Sequence, residues 1–212
     1  MIKMSTSKGK FISFEGIDAC GKSTQVKLLL AEMNKNSNCT VLVREPGGST
    51  ISEEIRQILL NDKLDDMSFR TEALLMTGSR AQLTNEKIYP TLSIGKNVIA
   101  DRYSDSTLAY QGGGRGLDIK WLIELNRFAT NNLNPDVTFL LDLHPNEALN
   151  RRGNDNDRIE KAGFKLQMKV RNSYLEIAKL FDDRIVIIDG HQNQNAIHTE
   201  ILNELNRRKI IS

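Results

Sequence analysis

The segment Gly16-Ile17-Asp18-Ala19-Cys20-Gly21-Lys22-Ser23 fits G-x-x-x-x-G-K-[S/T] at every fixed position. It restricts the chain to folds in which a strand runs into a glycine-rich turn and the turn opens a helix. The flanks meet that demand. Phe11-Ile12-Ser13-Phe14 is a short apolar run of the kind a buried strand carries, and Val26, Leu29, Leu30 and Met33 recur at helical spacing after the loop. The glycines allow successive backbone N–H groups to face a polyphosphate, and the helix start adds partial positive charge. Gly16, Ile17, Asp18, Ala19, Cys20, Gly21 and Thr24 are expected to line this cradle. Lys22 is expected to reach the β- and γ-phosphates, and Ser23 to ligate Mg²⁺. Cys20 stands beside a helix N-terminus and two residues before Lys22. Both neighbours favour a reactive thiolate; the alternative is that Cys20 fills a small-residue slot.

The alternation continues along the chain. Residues 40–43, 98–100, 137–141 and 184–188 read as strands. Helical patterns cover residues 50–60, 71–94 (bent or interrupted near Pro90), 118–130, 145–152, 164–181 and 196–208. Strands alternating with helices predict an α/β fold, a parallel sheet covered on both faces. A chain of 212 residues with no internal repeat or linker fits one domain, residues 1–212. Hydrophobic residues at 39% support a core, and a net charge of +2 argues against a general nucleic-acid or membrane binder. The two cysteines form no C-x-x-C pair, so neither a zinc site nor a disulfide framework is suggested. The N-terminal ten residues lack a signal-peptide core and no apolar run is long enough to span a membrane, which predicts a soluble cytoplasmic protein. Residues 153–157 are polar without periodicity and read as a surface loop, a frequent site of mobile lids.

A second group of charged residues falls at predicted strand ends. Ligands of a parallel sheet gather at the carboxyl ends of its strands. Asp101-Arg102 follows the strand at 98–100, as the glycine-rich loop follows its own strand, so both can open onto one crevice. Asp101 is expected to hold Mg²⁺ through water and Arg102 to clamp a phosphoryl group; a solvated ion pair is the alternative. Arg44-Glu45-Pro46-Gly47-Gly48 ends the second strand, and Pro-Gly-Gly is also a plain turn sequence. Gln111-Gly112-Gly113-Gly114-Arg115-Gly116 reads as a flexible loop, functional or merely a hinge. Arg151, Arg152 and Arg158 flank the polar loop, where arginines on a closing segment would stabilise a transferring phosphoryl group. No N-K-x-D guanine-reading motif is present.

Taken together these segments resemble the thymidylate kinases. The likeness runs from Phe11 to about Ala178 and rests on Phe14-Glu15-Gly16, on Arg44 to Gly48, on Asp157-Arg158-Ile159-Glu160, and above all on Asp101-Arg102-Tyr103-x-x-Ser106-Thr107-x-Ala109-Tyr110-Gln111-Gly112-Gly113-Gly114-Arg115-Gly116. The resemblance implies a P-loop three-layer α/β/α fold with a five-stranded parallel sheet and a short lid at about residues 151–163. It implies transfer of the ATP γ-phosphoryl group to dTMP, with Mg²⁺, in a homodimer that binds small molecules and no nucleic acid or membrane. Under it Asp18 lies near the acceptor, Asp101 and Arg102 serve Mg²⁺ and phosphate, and Arg80 reads a thymine carbonyl. Ser106, Thr107 and Gln111 fall in the stretch that faces the base, and Tyr110 matches a tyrosine that disfavours a ribose 2′-hydroxyl. Arg44, Glu45, Pro46 and Arg56 fall near the acceptor sugar and phosphate. Members with an arginine in the P-loop carry it where this chain has Ala19; the bacterial subgroup draws on lid arginines instead, here Arg151, Arg152 and Arg158. Many members stack thymine on a phenylalanine where this chain has Met76, whose thioether can also pack on a ring. The competing readings are a kinase for another nucleoside monophosphate or a deoxynucleoside, and a non-catalytic nucleotide sensor or binding module.

Overall fold

The computed structural model describes residues 8–35, 40–151 and 163–211. Cys39, Arg152, Arg158 and most of the expected lid lie outside them.

Strand β1 (Phe11–Glu15) is buried at all five positions, as a strand with both faces covered must be. It lies between β3 (Val98–Asp101) and β4 (Val137–Asp142), with β2 (Val41–Arg44) and β5 (Ile185–Asp189) at the edges, in the all-parallel order β2-β3-β1-β4-β5. Only the edge strands expose large apolar side chains, Leu42 and Ile187. Register aligns the carboxyl ends: Arg44 and Phe14 both pair with Asp101, Glu15 with Leu140, and Asp142 with Asp189. The chain leaves β1 toward β2 and later returns across β1 to β4, so a crevice opens above β1 at this end of the sheet.

Helices form the crossovers between the parallel strands. Helix α1 (Lys22–Asn34) packs with α9 (Gln194–Arg207). Helices α2 (Thr50–Leu60), α3 (Phe69–Leu83), α6 (Ile119–Thr130) and α8 (Gly163–Leu180) pack around the site. Capping side chains fix several starts: Ser49, Ser68, Asp118 and Asn193 each accept a hydrogen bond from a first-turn N–H. Helix α7 (Pro145–Arg151) begins on proline. No helix among the described residues is long and apolar enough to cross a membrane.

One expectation holds in outline and one changes. The long helix expected over residues 71–94, bent or interrupted near Pro90, is α3, a π-helical turn at Thr84–Ile88 just before Pro90, and α4 (Tyr89–Ser93). The flexible loop expected at residues 111–116 is a second π-helical segment, Leu108–Gly114, continuing the short α5 (Ser104–Thr107). Its i→i+5 bond runs from Arg115 N–H to the Tyr110 carbonyl, 2.9 Å. The glycines serve close packing there. A Cβ on Gly112 would lie 2.2 Å from Ile119 Cδ1, and one on Gly113 2.2 Å from Ser173 Cβ on α8.

Candidate active site

The P-loop is shaped by positions that reject side chains. Gly16 has φ 137°, and a Cβ there would lie 2.6 Å from the Leu141 carbonyl oxygen. Gly21, with φ 106°, hands the chain into α1. Lys22 is buried and folds over its own loop, donating to the Gly16 carbonyl at 3.1 Å and the Ile17 carbonyl at 2.7 Å. Its charge is thereby held at the rim of the cradle. Cys20 is fully buried, with its sulfur 3.6 Å from Lys22 Nζ and in the space a Gly16 side chain would need. The thiol fills the inside of the turn, as a residue in a small-residue slot would. A cavity joins loop residues 19–25 to Arg151, Gln192, Gln194 and Ile197. Arg151 reaches it from the end of α7, donating to the Gly190 carbonyl at 3.1 Å.

Ser23 and Asp101, 78 residues apart, meet at the sheet's carboxyl edge, the Ser23 hydroxyl donating to Asp101 Oδ2 at 2.8 Å. Beside them Arg102 takes a left-handed φ of 72°, uncommon for a side chain of its size. Its N–H donates to the Phe14 carbonyl, and its guanidinium reaches the Gly16 carbonyl at 2.8 Å and ion-pairs with Asp18. Asp18 also accepts from the Tyr110 hydroxyl and from Gln167 Nε2, each at 3.0 Å. Burial alone would raise the Asp18 carboxyl, but the charges of Arg102 and Lys22 and these hydrogen bonds outweigh it and hold it at about 2. Asp18 is therefore a fixed anion between the cradle and a second cavity.

That second cavity opens between α3 and the α5–π segment. Arg80, Arg102, Glu45, Arg56, Thr107 and Gln111 face it, with Pro46, Ser106, Tyr110, Asp18 and the apolar Met76 and Leu60. Except for Arg44, the side chains expected around the acceptor all line it. Arg44 stands behind it, holding the Pro46 carbonyl at 2.9 Å and pairing with Glu53. Arg56 donates to the same carbonyl at 2.9 Å. Arg80, 2% exposed, engages all three of its guanidinium nitrogens with protein acceptors. Nε donates to Glu45 Oε2, Nη2 donates to the Tyr103 carbonyl and ion-pairs with Glu45 Oε2, and Nη1 donates to Thr107 Oγ1 and Asn126 Oδ1. Arg80 is a buried wall of the cavity.

Several supporting residues had no role assigned from the sequence. Glu15, fully buried at the end of β1, accepts from the Tyr103 N–H at 2.7 Å, the Ser106 hydroxyl at 2.6 Å and the Tyr174 hydroxyl at 2.8 Å. Ser106 and Tyr174 in turn accept from Arg102. Burial, and after it the nearby Asp105, push the Glu15 carboxyl up to about 7. A charged residue closing an apolar strand is a visible signal in the sequence. Gln167, Tyr174 and Leu60 give none, because their partners lie far along the chain.

A family model described as thymidylate kinase matches residues 14–201. Proteins named thymidylate kinase are similar over nearly the whole length. That of Caldanaerobacter subterraneus subsp. tengcongensis is 46% identical over 196 residues, 92% of this chain and 94% of its own. Those of Lactobacillus acidophilus and Thermosipho africanus are 43% identical over 206 residues and 45% over 192, covering 95% and 90% of this chain and 95% and 94% of their own. A glycine-rich P-loop, a fixed Asp-Arg pair and a second cavity share one sheet edge, and nearly the whole length matches these relatives: the chain belongs to the thymidylate kinase family.

Proposed function

We propose that this chain transfers the γ-phosphoryl group of ATP to the 5′-phosphate of dTMP, giving ADP and dTDP, with Mg²⁺. The observation that carries the reading is that Asp18 and Arg102, paired with each other, line the second cavity while staying tied to the phosphate loop: Asp18 directly precedes the loop residues that line the first cavity, and Arg102 donates to the Gly16 carbonyl. A donor phosphate in the loop and an acceptor phosphate in the second cavity would both come within reach of Arg102. Lys22 and Arg102 supply fixed positive charge where negative charge spreads over the phosphoryl oxygens. Asp18, anchored by Arg102, Tyr110 and Gln167, orients the acceptor side and holds Arg102 in place. Met76 and Leu60 give the base an apolar surface. Ser23 and Asp101 present hard oxygen donors side by side, which suits Mg²⁺, an ion that takes one or two protein oxygens plus phosphates and water. There the ion would neutralise phosphate charge.

The test is ADP formation from ATP with dTMP, dUMP, CMP and GMP in parallel, with the product identified. Activity is expected with dTMP first. ADP release that ignores dTMP would sink the reading. We also propose a homodimer. Ile51 and Ile58 on α2, Leu74 on α3, and Trp121 and Phe128 on α6 are exposed on helices that contact in series, and Phe128 is 88% exposed. Light scattering at micromolar concentration should give twice the chain mass of 23.9 kDa; a monomer would refute this part alone. The lid role of residues 151–163 rests on the sequence, with Arg151 at its near end.

A further inference from the structure

We propose that Glu72 is a positioning residue that sets pyrimidine specificity, by locking the Gln111 side chain with its carbonyl oxygen toward the acceptor cavity. The inference rests on the reading of that cavity as the dTMP site. Gln111 is 1% exposed and lines the cavity; Glu72 is fully buried and does not. Gln111 Nε2 donates to Glu72 Oε1 at 2.9 Å. Arg115 clamps the same carboxylate from the far side, at 3.3 Å to each oxygen, and its own guanidinium lies 5.0 Å above the Phe69 ring. A carboxylate paired with arginine only accepts hydrogen bonds. The amide nitrogen of Gln111 must therefore face Glu72, and the carbonyl oxygen is the atom left for the cavity.

That oxygen accepts no hydrogen bond among the described residues, while Arg80 has its N–H groups engaged elsewhere. Gln111 is thus a polar atom of fixed sign on the wall that meets a base. The backbone beneath it is fixed as well. The π-helical segment is held by the glycines under α8, and the Leu117 N–H donates to the Gln111 carbonyl of the main chain at 3.0 Å. A fixed acceptor suits a ring N–H. Thymine and uracil carry a hydrogen on N3; cytosine presents a lone pair there, which would face the oxygen unpaired. Glu72 acts through Gln111 and needs no contact with the nucleotide. Because α3 carries Glu72, Met76 and Arg80 at a spacing of four, one helical face supplies the lock, the apolar floor and the wall.

The experiment measures kcat/KM for dTMP, dUMP and dCMP, with calorimetric binding of each, in the wild type and in Glu72→Gln. The variant keeps the volume but can donate as well as accept, so the Gln111 amide is free to turn round. The dTMP:dCMP ratio is expected to fall by roughly ten-fold or more, the scale of one buried mispaired polar group. The dTMP:dUMP ratio should stay within about two-fold, since both bases carry the N3 hydrogen, and KM for ATP should hold. An equal loss for all three pyrimidines, or an unchanged dTMP:dCMP ratio, overturns the proposal and leaves Glu72 a structural residue. Should Glu72→Gln fail to fold, Glu72→Asp withdraws the acceptor by one methylene and is judged by the same ratio. A wild type that ignores dTMP would instead overturn the reading of the cavity, a separate outcome.

Discussion

At the scale of single residues, the site consists of charges that cannot move far. Lys22 is tied to two carbonyls of its own loop, and Arg102 to Gly16, Asp18 and three hydroxyls, those of Ser106, Tyr110 and Tyr174. Groups fixed before the reaction stabilise the transition state without reorganising. Lys22→Ala and Arg102→Ala are each expected to lower kcat by roughly 100-fold or more, with smaller effects on KM. Near-normal turnover in steady-state assays would remove the residue from its role. Glu15 gives a prediction on stability. Its carboxyl, ordinarily near 4.5, is raised to about 7 by burial and by Asp105, so the folded chain holds this proton more tightly than the unfolded chain. The resulting stabilisation is complete below about pH 4.5 and is lost as pH rises through about 7. Glu15→Gln has no such proton to lose. Thermal unfolding between pH 5 and 8 should show the wild-type Tm falling relative to that of the variant; a constant gap would contradict the assignment. Arg102, Asp105, Tyr103 and Tyr174 face Glu15 in both proteins, so the comparison isolates one group.

At the scale of elements, the site depends on α3 and the π-helical segment standing at a fixed distance. Arg80 joins them through Thr107 and the Tyr103 carbonyl, and Glu72 joins them through Gln111. Behind the segment α8 approaches so closely that Gly113 has no room for a methyl group. A Cβ would lie 2.2 Å from Ser173 Cβ and 2.4 Å from its hydroxyl. Gly113→Ala should therefore destabilise by about 1–3 kcal/mol, the usual range for overpacking, and raise KM for dTMP by displacing Gln111. An unchanged Tm would show that α8 yields freely. Legibility in the sequence divides along the same line. The strands and most helices were readable because each carries its own periodic apolar pattern, and the P-loop because its chemistry is local. The second π-helical segment was not. Consecutive glycines signal a turn in isolation, and only the surface of α8, more than fifty residues further on, turns them into a packed helix. Arg80 illustrates the same limit. Its expected position near the base followed from likeness to a family, whereas its four hydrogen bonds depend on Glu45, Tyr103, Thr107 and Asn126, which lie far apart along the chain.

At the scale of the whole molecule, the parallel order β2-β3-β1-β4-β5 gathers residues from most of the chain at one edge. Asp18, Arg102 and Gln167 lie in distant parts of the sequence and meet at one carboxylate. The arrangement also has a consequence for biosynthesis. Strand β1 is made first and sits in the middle, yet Phe11 pairs with Val98 and Ile12 with Val137. At about 5–20 residues per second, a ribosome needs roughly 4–20 s to make the first of those partners after β1 itself. For that interval the five-residue run Phe11–Glu15, destined to be wholly enclosed, has no strand to bond and no sheet to join. Ribosome-held chains halted before residue 98 should remain open to protease within the P-loop, and chains whose residue 142 has cleared the exit tunnel should begin to resist. The phosphate-binding loop is thus expected to wait more than a hundred residues of synthesis, until β3 and β4 flank β1, before it acquires its shape.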